Sequence, residues 1–289
     1  MRPRSAIHPW LMLGPSVLVL VTFFIAPLLI AVRDSFFSWD LLTPPVFVGA
    51  SNYARLFASG EAVALVGRTL KFAVMVVSLS MSLGLLLALA LNRPGRFVAF
   101  VRSAVFSAYV VSWVSVALLW MWLLDADQGV FALLARAVGL GRIGFLTDPN
   151  VALITLSLVT VWKITGFSMV VFLVGLQDVP RDLIEAAALD GAEGFARFRF
   201  VTWPLLRPTA AFVATTSLIA SFQAFDVVRV MTQGGPVKAT TLLVYAIYEQ
   251  VFMDLRIGRA SALTVVFFVV LFALAMLQLW VMRGKGEAT

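Results

Sequence analysis

Side chains able to do chemistry are few in this 289-residue chain. Cysteine is absent and the one histidine is His8. Thiol nucleophiles, Cys-zinc sites, iron–sulfur clusters, haem and His-based general-base chemistry therefore have almost no raw material. No G-x-x-x-x-G-K-[ST] string occurs, so nothing predicts ATP binding through a P-loop. The string Gly139-x-Gly141-x-x-Gly144 matches a dinucleotide fingerprint in letters only. An apolar span precedes it where a strand is needed, and no acidic residue follows about 20 positions on. What remains is recognition chemistry. Thr160, Lys163, Ile164 and Phe167 share one face of a helix, offering a hydroxyl, a cation and an aromatic ring to a polyol or phosphate-bearing solute. Ser221-Phe-Gln223-Ala-Phe225-Asp226 sets polar groups beside aromatic rings, and this suits sugars: rings stack on C–H surfaces while amides bind hydroxyls. The plainer alternative for Lys163 is an ammonium that snorkels or pairs with a carboxylate on a neighbouring helix.

The elements that must position these residues are membrane spans. The chain is 61% hydrophobic and 13% charged, with mean hydropathy +0.98, against about 45–50% and about 25% for soluble domains. Six runs reach the roughly 20 apolar residues that cross a hydrocarbon core: 10–32, 70–91, 103–124, 150–177, 203–228 and 260–282. They predict an all-α integral membrane fold in which residues 1–289 form a single transmembrane domain. The first run is too long for a signal-peptide core and holds Pro15 and Pro27, so it reads as a retained span. Lys and Arg number 11 in the 57 residues of segments 1–9, 92–102, 178–207 and 283–289, against 10 in the 95 residues of 33–71, 125–149 and 229–259. The denser set marks the cytoplasmic side and places both termini there. The net charge of +7 then reflects topology; no Lys/Arg-rich tail points to nucleic acid.

One polar segment breaks the pattern of spans. Residues 178–204 read as helix, turn, helix: Pro180 suits a helix start, Asp182 and Glu185 meet the positive end of the helix dipole, and Gly191 suits a left-handed helix end. A second short helix carries Phe195, Phe198 and Phe200 with Arg197 and Arg199. The bland reading is an amphipathic interfacial loop. The sharper reading is a docking element for a soluble partner.

Glu185-Ala186-Ala187-(x)2-Asp190-Gly191-Ala192-(x)11-Pro204 resembles the EAA signature of ABC-importer permeases. Thr232-Gln-Gly234-Gly235-Pro236-(x)3-Thr240, Tyr245-(x)2-Tyr248-(x)3-Phe252 and Gly258-Arg-Ala-Ser-Ala262 are similar to motifs of the carbohydrate-type subfamily, the maltose and glycerol-3-phosphate permeases among them. The resemblance runs nearly end to end; Trp203 departs from it, standing where the family more often has Leu. It implies a type I importer permease fold of six transmembrane helices in the bacterial inner membrane, with a cytoplasmic coupling helix built from Glu185, Ala186, Ala187, Asp190, Gly191, Ala192 and Pro204. It also implies a non-catalytic chain that binds no cofactor. ATP and magnesium belong to two separate ATPase subunits, and the other partners are a second, non-identical permease and an extracytoplasmic binding protein, all within membrane lipid.

Sugar contacts in the maltose-type permease map by this resemblance onto Thr160, Ile164 and Phe167 and onto Ser221, Ala224 and Phe225. Thr160, Lys163, Ile164, Phe167, Ser221, Gln223 and Phe225 make up the candidate substrate pathway. The implied cargo is a sugar or related polyol, with glycerol 3-phosphate or a glycerophosphodiester as the alternative. A stand-alone secondary transporter would want inverted repeats or several intramembrane acids, and a membrane enzyme a nucleophile–base or metal constellation; the sequence displays none of these.

Overall fold

The computed structural model describes residues 7–139 and 141–283. Most of the basic residues counted for the two termini lie outside them. His8 falls in the first helix. Apart from one short hairpin, the regular secondary structure of the described residues is helical. Helix α1 (Ile7–Leu20) runs through a π-helical turn (Val21–Ile25) into α2 (Ala26–Asp34). Strands β1 (Phe37–Ser38) and β2 (Val46–Phe47) pair antiparallel, Phe37 opposite Phe47. Then follow α3 (Ser51–Ala58), α4 (Glu61–Leu91), α5 (Arg96–Val110), α6 (Trp113–Leu123), α7 (Val130–Ala137) and α8 (Ala152–Gln177). Short helices α9 (Arg181–Leu189) and α10 (Gly194–Arg197) lead through a second π turn (Phe198–Thr202) into α11 (Trp203–Phe222). Helices α12 (Phe225–Met231), α13 (Leu243–Phe252) and α14 (Ile257–Arg283) complete the chain.

Both π turns abut a proline. Proline lacks an N–H and its ring pushes away the carbonyl four residues back, so the ladder slips by one residue. Ala26 N–H accordingly reaches Val21 O, just before Pro27, and Trp203 N–H reaches Phe198 O, just before Pro204.

Five described helices are long and apolar enough to cross a membrane, and the pair α5–α6 makes a sixth span bent by 100°. Three expected boundaries change. The second span begins at Glu61, well before residue 70. The run 103–124 is not one straight helix: Val111 and Ser112 are both extended, with ψ 144° and 140°, and the chain turns sharply between them. The fifth span ends at Phe222 instead of running to 228, and residues 225–231 form a separate helix.

The fold comprises two compact units: one of the chain up to Ala64 with Ala246–Val270, the other of Leu65–Tyr245 with the chain from Leu271 on. In the second unit, α4, α8 and α11 enclose a core of Ala88, Met169, Phe172, Leu173, Leu206, Ala210 and Val213. Trp203, the departure from the family pattern, packs against this core with its ring 6.1 Å from that of Phe198. Helix α8 is the hub, packed on both α5 and α11. Its contact with α5 is backbone to backbone: a Cβ on Gly166 would lie 2.5 Å from Val105 O and 2.9 Å from Phe106 Cα. Small residues at such crossings let helix axes approach where lipid supplies no hydrophobic drive between helices.

Gly166→Val is therefore expected to force α5 away from α8, at about 1–3 kcal/mol for overpacking. A thermal-unfolding scan of the purified protein in detergent reads this as a lowered melting temperature; an unchanged value would refute the close crossing.

Candidate functional site

Lys163 is buried to 2% exposure and sits where α8 crosses the end of α5. Its Nζ donates to the carbonyls of Ala108 (3.2 Å) and Tyr109 (3.1 Å) and to that of Val111. The last carbonyls of a helix have no partner within it, and the break at 111–112 exposes these at membrane depth. An ammonium has three protons, matching the three carbonyls, and a cation also suits the negative end of a helix. The Trp113 ring, first residue of α6, lies 4.8 Å from the same Nζ, a cation–π distance. The ammonium thus ties α8 to both sides of the bend. Neither snorkelling nor a carboxylate partner describes it.

The rest of the Thr160 face is also turned inward. Thr160 and Ile164 are buried, Thr160 Oγ1 donates to Leu156 O at 2.9 Å, and the Phe167 ring stacks on Tyr109 at 4.9 Å. Ser221 is buried and donates to Ser217 O at 2.7 Å. Gln223 is exposed just past the end of α11. Phe225 lies 6.2 Å from the Tyr245 ring. Helix α8 packs on both α11 and α12, so these positions share one part of the second unit, but their buried hydroxyls are turned to helix carbonyls.

The Gly-Gly-Pro stretch forms a closed polar loop at one end of α12. Thr232 Oγ1 and Thr240 Oγ1 are 2.7 Å apart, Thr240 Oγ1 donates to Gly235 O, and Thr241 Oγ1 donates to Gly234 O at 3.1 Å. Leu243 N–H donates to the buried Thr69 Oγ1 at 3.0 Å, and Arg68 Nε to Thr241 O at 3.2 Å. Thr69 and Arg68 escape notice in the sequence, since threonine and arginine near a span end are ordinary. The motif spacing of Thr232 and Thr240 was the one visible sign of this network.

The polar segment between spans folds as α9, a tight turn and α10. Pro180 stands as N-cap, one position before the helix. The turn is a Schellman closure: Ala192 N–H donates to Ala187 O at 2.8 Å and Gly191 N–H to Ala188 O at 3.1 Å, with Gly191 at φ +77°. Such a residue needs the left-handed region that glycine enters freely. Ala187 is buried, Ala192 and Pro204 are half-buried, and Glu185, Ala186, Asp190 and Gly191 are exposed. Leu189 is 89% and Phe195 78% exposed, and Phe200 is exposed as well. The segment thus presents large apolar side chains outward on a closed backbone.

Residues 80–285 match the family described as binding-protein-dependent transport system inner membrane component. The chain belongs to that family. Among relatives, the sn-glycerol-3-phosphate transport system permease protein UgpA of Brucella abortus is 34% identical over 276 residues, covering 95% of this chain and 94% of that one. The probable starch degradation products transport system permease protein AmyD of Thermoanaerobacterium thermosulfurigenes is 28% identical over 98% of this chain and 96% of its own length. The crystal structure of a bacterial ABC transporter involved in the import of the acidic polysaccharide alginate superposes with a TM-score of 0.84 over 97% of this chain and 96% of that chain, at 23% identity. The permease is thus a multi-pass inner-membrane protein with the fold of an ABC-importer subunit, and its relatives are transport permeases of carbohydrate type.

The Lys163 contacts yield a test. Lys163→Met removes three donors and leaves carbonyls unmet in hydrocarbon; each unsatisfied buried group costs about 1–3 kcal/mol. The expected result is a clearly lowered melting temperature, with Lys163→Arg, which keeps charge and donors, falling between variant and wild type. A Met variant as stable as wild type would show that the bend does not depend on this ammonium.

Proposed function

We propose that this permease imports a sugar or related polyol handed over by an extracytoplasmic binding protein, in an assembly with a second, non-identical permease and two ATPase subunits. The observation that carries the reading is the α9–α10 segment. Large apolar side chains held outward on a rigid turn suit a groove in a soluble partner, and Leu189 and Phe195 are exposed in this way. Glu185, Ala186, Ala187, Asp190, Gly191, Ala192 and Pro204 then transmit the partner's motion into α11, which begins one residue before Pro204. ATP and magnesium are handled by the ATPase subunits, and this chain contributes no catalytic group. The denser basic charge of the segments on the α9–α10 side supports cytoplasmic termini.

Thr160, Ile164, Phe167, Ser221, Gln223 and Phe225 flank the route, with Gln223 offering an exposed amide. Lys163 serves the route by fixing the α5–α6 bend, since its protons already go to carbonyls. A neutral polyol agrees with that commitment of charge, and specificity then rests largely with the binding protein. Glycerol 3-phosphate is a second reading, favoured by the relatives at 32–34% identity named for its transport.

Two measurements test the proposal. Gly191→Pro cannot adopt φ +77° and removes the N–H that bonds Ala188 O; Glu185→Lys reverses a charge on the docking segment. In proteoliposomes both are expected to insert normally yet lose at least about tenfold of the ATPase stimulation by loaded binding protein, a loss of about 1.4 kcal/mol or more in coupling. Wild-type stimulation in both would refute the docking reading. Mass spectrometry of the solute that co-purifies with the cognate binding protein is expected to find a hydroxyl-rich compound; an amino acid, peptide or metal ion would overturn the substrate class.

A further inference from the structure

The first unit holds a polar cavity of about 460 Å³, lined among others by Trp39, Asp40, Asn52, Arg55, Arg256 and Arg259. It is assembled from three distant stretches. The β1–β2 hairpin brings Trp39 and Asp40, α3 brings Asn52 and Arg55, and the start of α14 brings Arg256 and Arg259. Gly258 permits this assembly, because a Cβ there would run into Phe37 O. Asn52 Nδ2 donates to Ser35 O (2.8 Å) and Phe37 O (2.9 Å), and Ile257 N–H donates to Trp39 O (2.9 Å).

The charges in and around the cavity do not cancel. Arg259 pairs with Glu61, but its Nε is buried without a partner among the described residues. Asp40 accepts from Thr43 N–H (2.8 Å), Thr43 Oγ1 (2.8 Å) and Leu42 N–H (3.1 Å), and the Thr43 N–H foremost holds its carboxyl below the usual range. Both acids are therefore accounted for locally. Three guanidinium groups against two carboxylates leave one excess positive charge, the complement of a single phosphodiester. Guanidinium forks also match phosphate oxygens in geometry.

The cavity's position narrows the source of that phosphate. Arg256 and Arg259 flank the first turn of α14, whose apolar run crosses the membrane, and α2 ends at Asp34 just before the hairpin. Both helix ends place the cavity at headgroup level. Beside it the hairpin carries an apolar fringe: Leu41, Val46 and Phe47 are exposed and Leu42 is 81% exposed. A soluble anion needs no such fringe, whereas acyl chains do. We propose that this cavity binds the phosphodiester of an anionic phospholipid, with the hairpin's apolar side chains against its acyl chains. None of the residues that line the cavity belongs to the candidate substrate route, and the proposal does not depend on which solute is imported.

The test is native mass spectrometry of the full-length protein in neutral detergent, supplied with equimolar phosphatidylglycerol and phosphatidylcholine of matched chains. Arg55 and Arg256 are exposed, so Arg55→Gln/Arg256→Gln is expected to fold, which an unchanged melting temperature would verify. Wild type is expected to retain phosphatidylglycerol at least about fivefold over phosphatidylcholine, each basic residue near a charged lipid surface contributing on the order of that factor. The double variant is expected to lose the preference. Leu42→Asp, which keeps every arginine but spoils the fringe, is expected to weaken retention of both lipids. Equal retention of the two lipids by wild type, or an undiminished preference in the double variant, would overturn the proposal. Arginine-dependent binding of sn-glycerol 3-phosphate or inorganic phosphate by lipid-stripped protein, with no lipid preference, would assign the cavity to a soluble phosphate and equally overturn it.

Discussion

Hydrocarbon contains no water to receive a stray carbonyl, so a helix that breaks inside a membrane must find its donors within the protein. In the second unit that constraint falls on the α5–α6 bend. Two extended residues there release carbonyls that no neighbouring turn can reach, and the Lys163 ammonium from α8 meets three of them. Its reach depends on how closely α8 lies on α5, which the missing side chain of Gly166 sets. Gly166, Lys163 and the break therefore form one arrangement: move α8 outward and the ammonium leaves its acceptors, straighten the break and the ammonium becomes a buried charge without partners. The same demand explains why Ser157, Thr160, Thr165 and Ser221 all turn their hydroxyls to carbonyls of their own helices. In lipid a hydroxyl that is not engaged with solute has to be engaged with backbone.

Much of this was legible in the sequence, for stated reasons. A cation in an apolar run is costly enough to demand a partner, so Lys163 is conspicuous in the sequence. Its partners are not, because they are main-chain carbonyls, which every residue carries and no residue type advertises. The break at 111–112 was equally silent: it has neither proline nor glycine, only Val111 and Ser112. By contrast, Gly191 and the alanines before it spell a helix ending in a left-handed turn, and the structure forms that turn. The early end of α11 leaves no mark in the sequence, because Ala224, Phe225, Val227 and Val228 continue the apolar character of the span and do not reveal the break at Ala224. The arginine cavity joins positions some 200 residues apart in the chain, and no local pattern announces such a meeting.

The two polar motifs of the family meet different physical demands. The Gly-Gly-Pro stretch closes on itself through threonine hydroxyls and ties back to Arg68 and Thr69 at the start of α4. Its polar groups are largely consumed in holding its own shape. The α9–α10 segment closes through main-chain bonds and leaves its side chains unspent. One motif is organised inward and the other outward, although both read in sequence as short polar interruptions between spans.

The main-chain closure at Ala187–Ala192 separates shape from identity. Only Gly191 is committed to the turn by its torsion angle, while Leu189 and Phe200 are exposed on the outside. A cell that keeps several related importers must stop their subunits from exchanging. Here the outward residues can drift from one transporter to the next while the scaffold beneath them stays fixed. If this segment docks a partner as proposed, fidelity of pairing can diverge by surface substitution alone, without altering the turn beneath it.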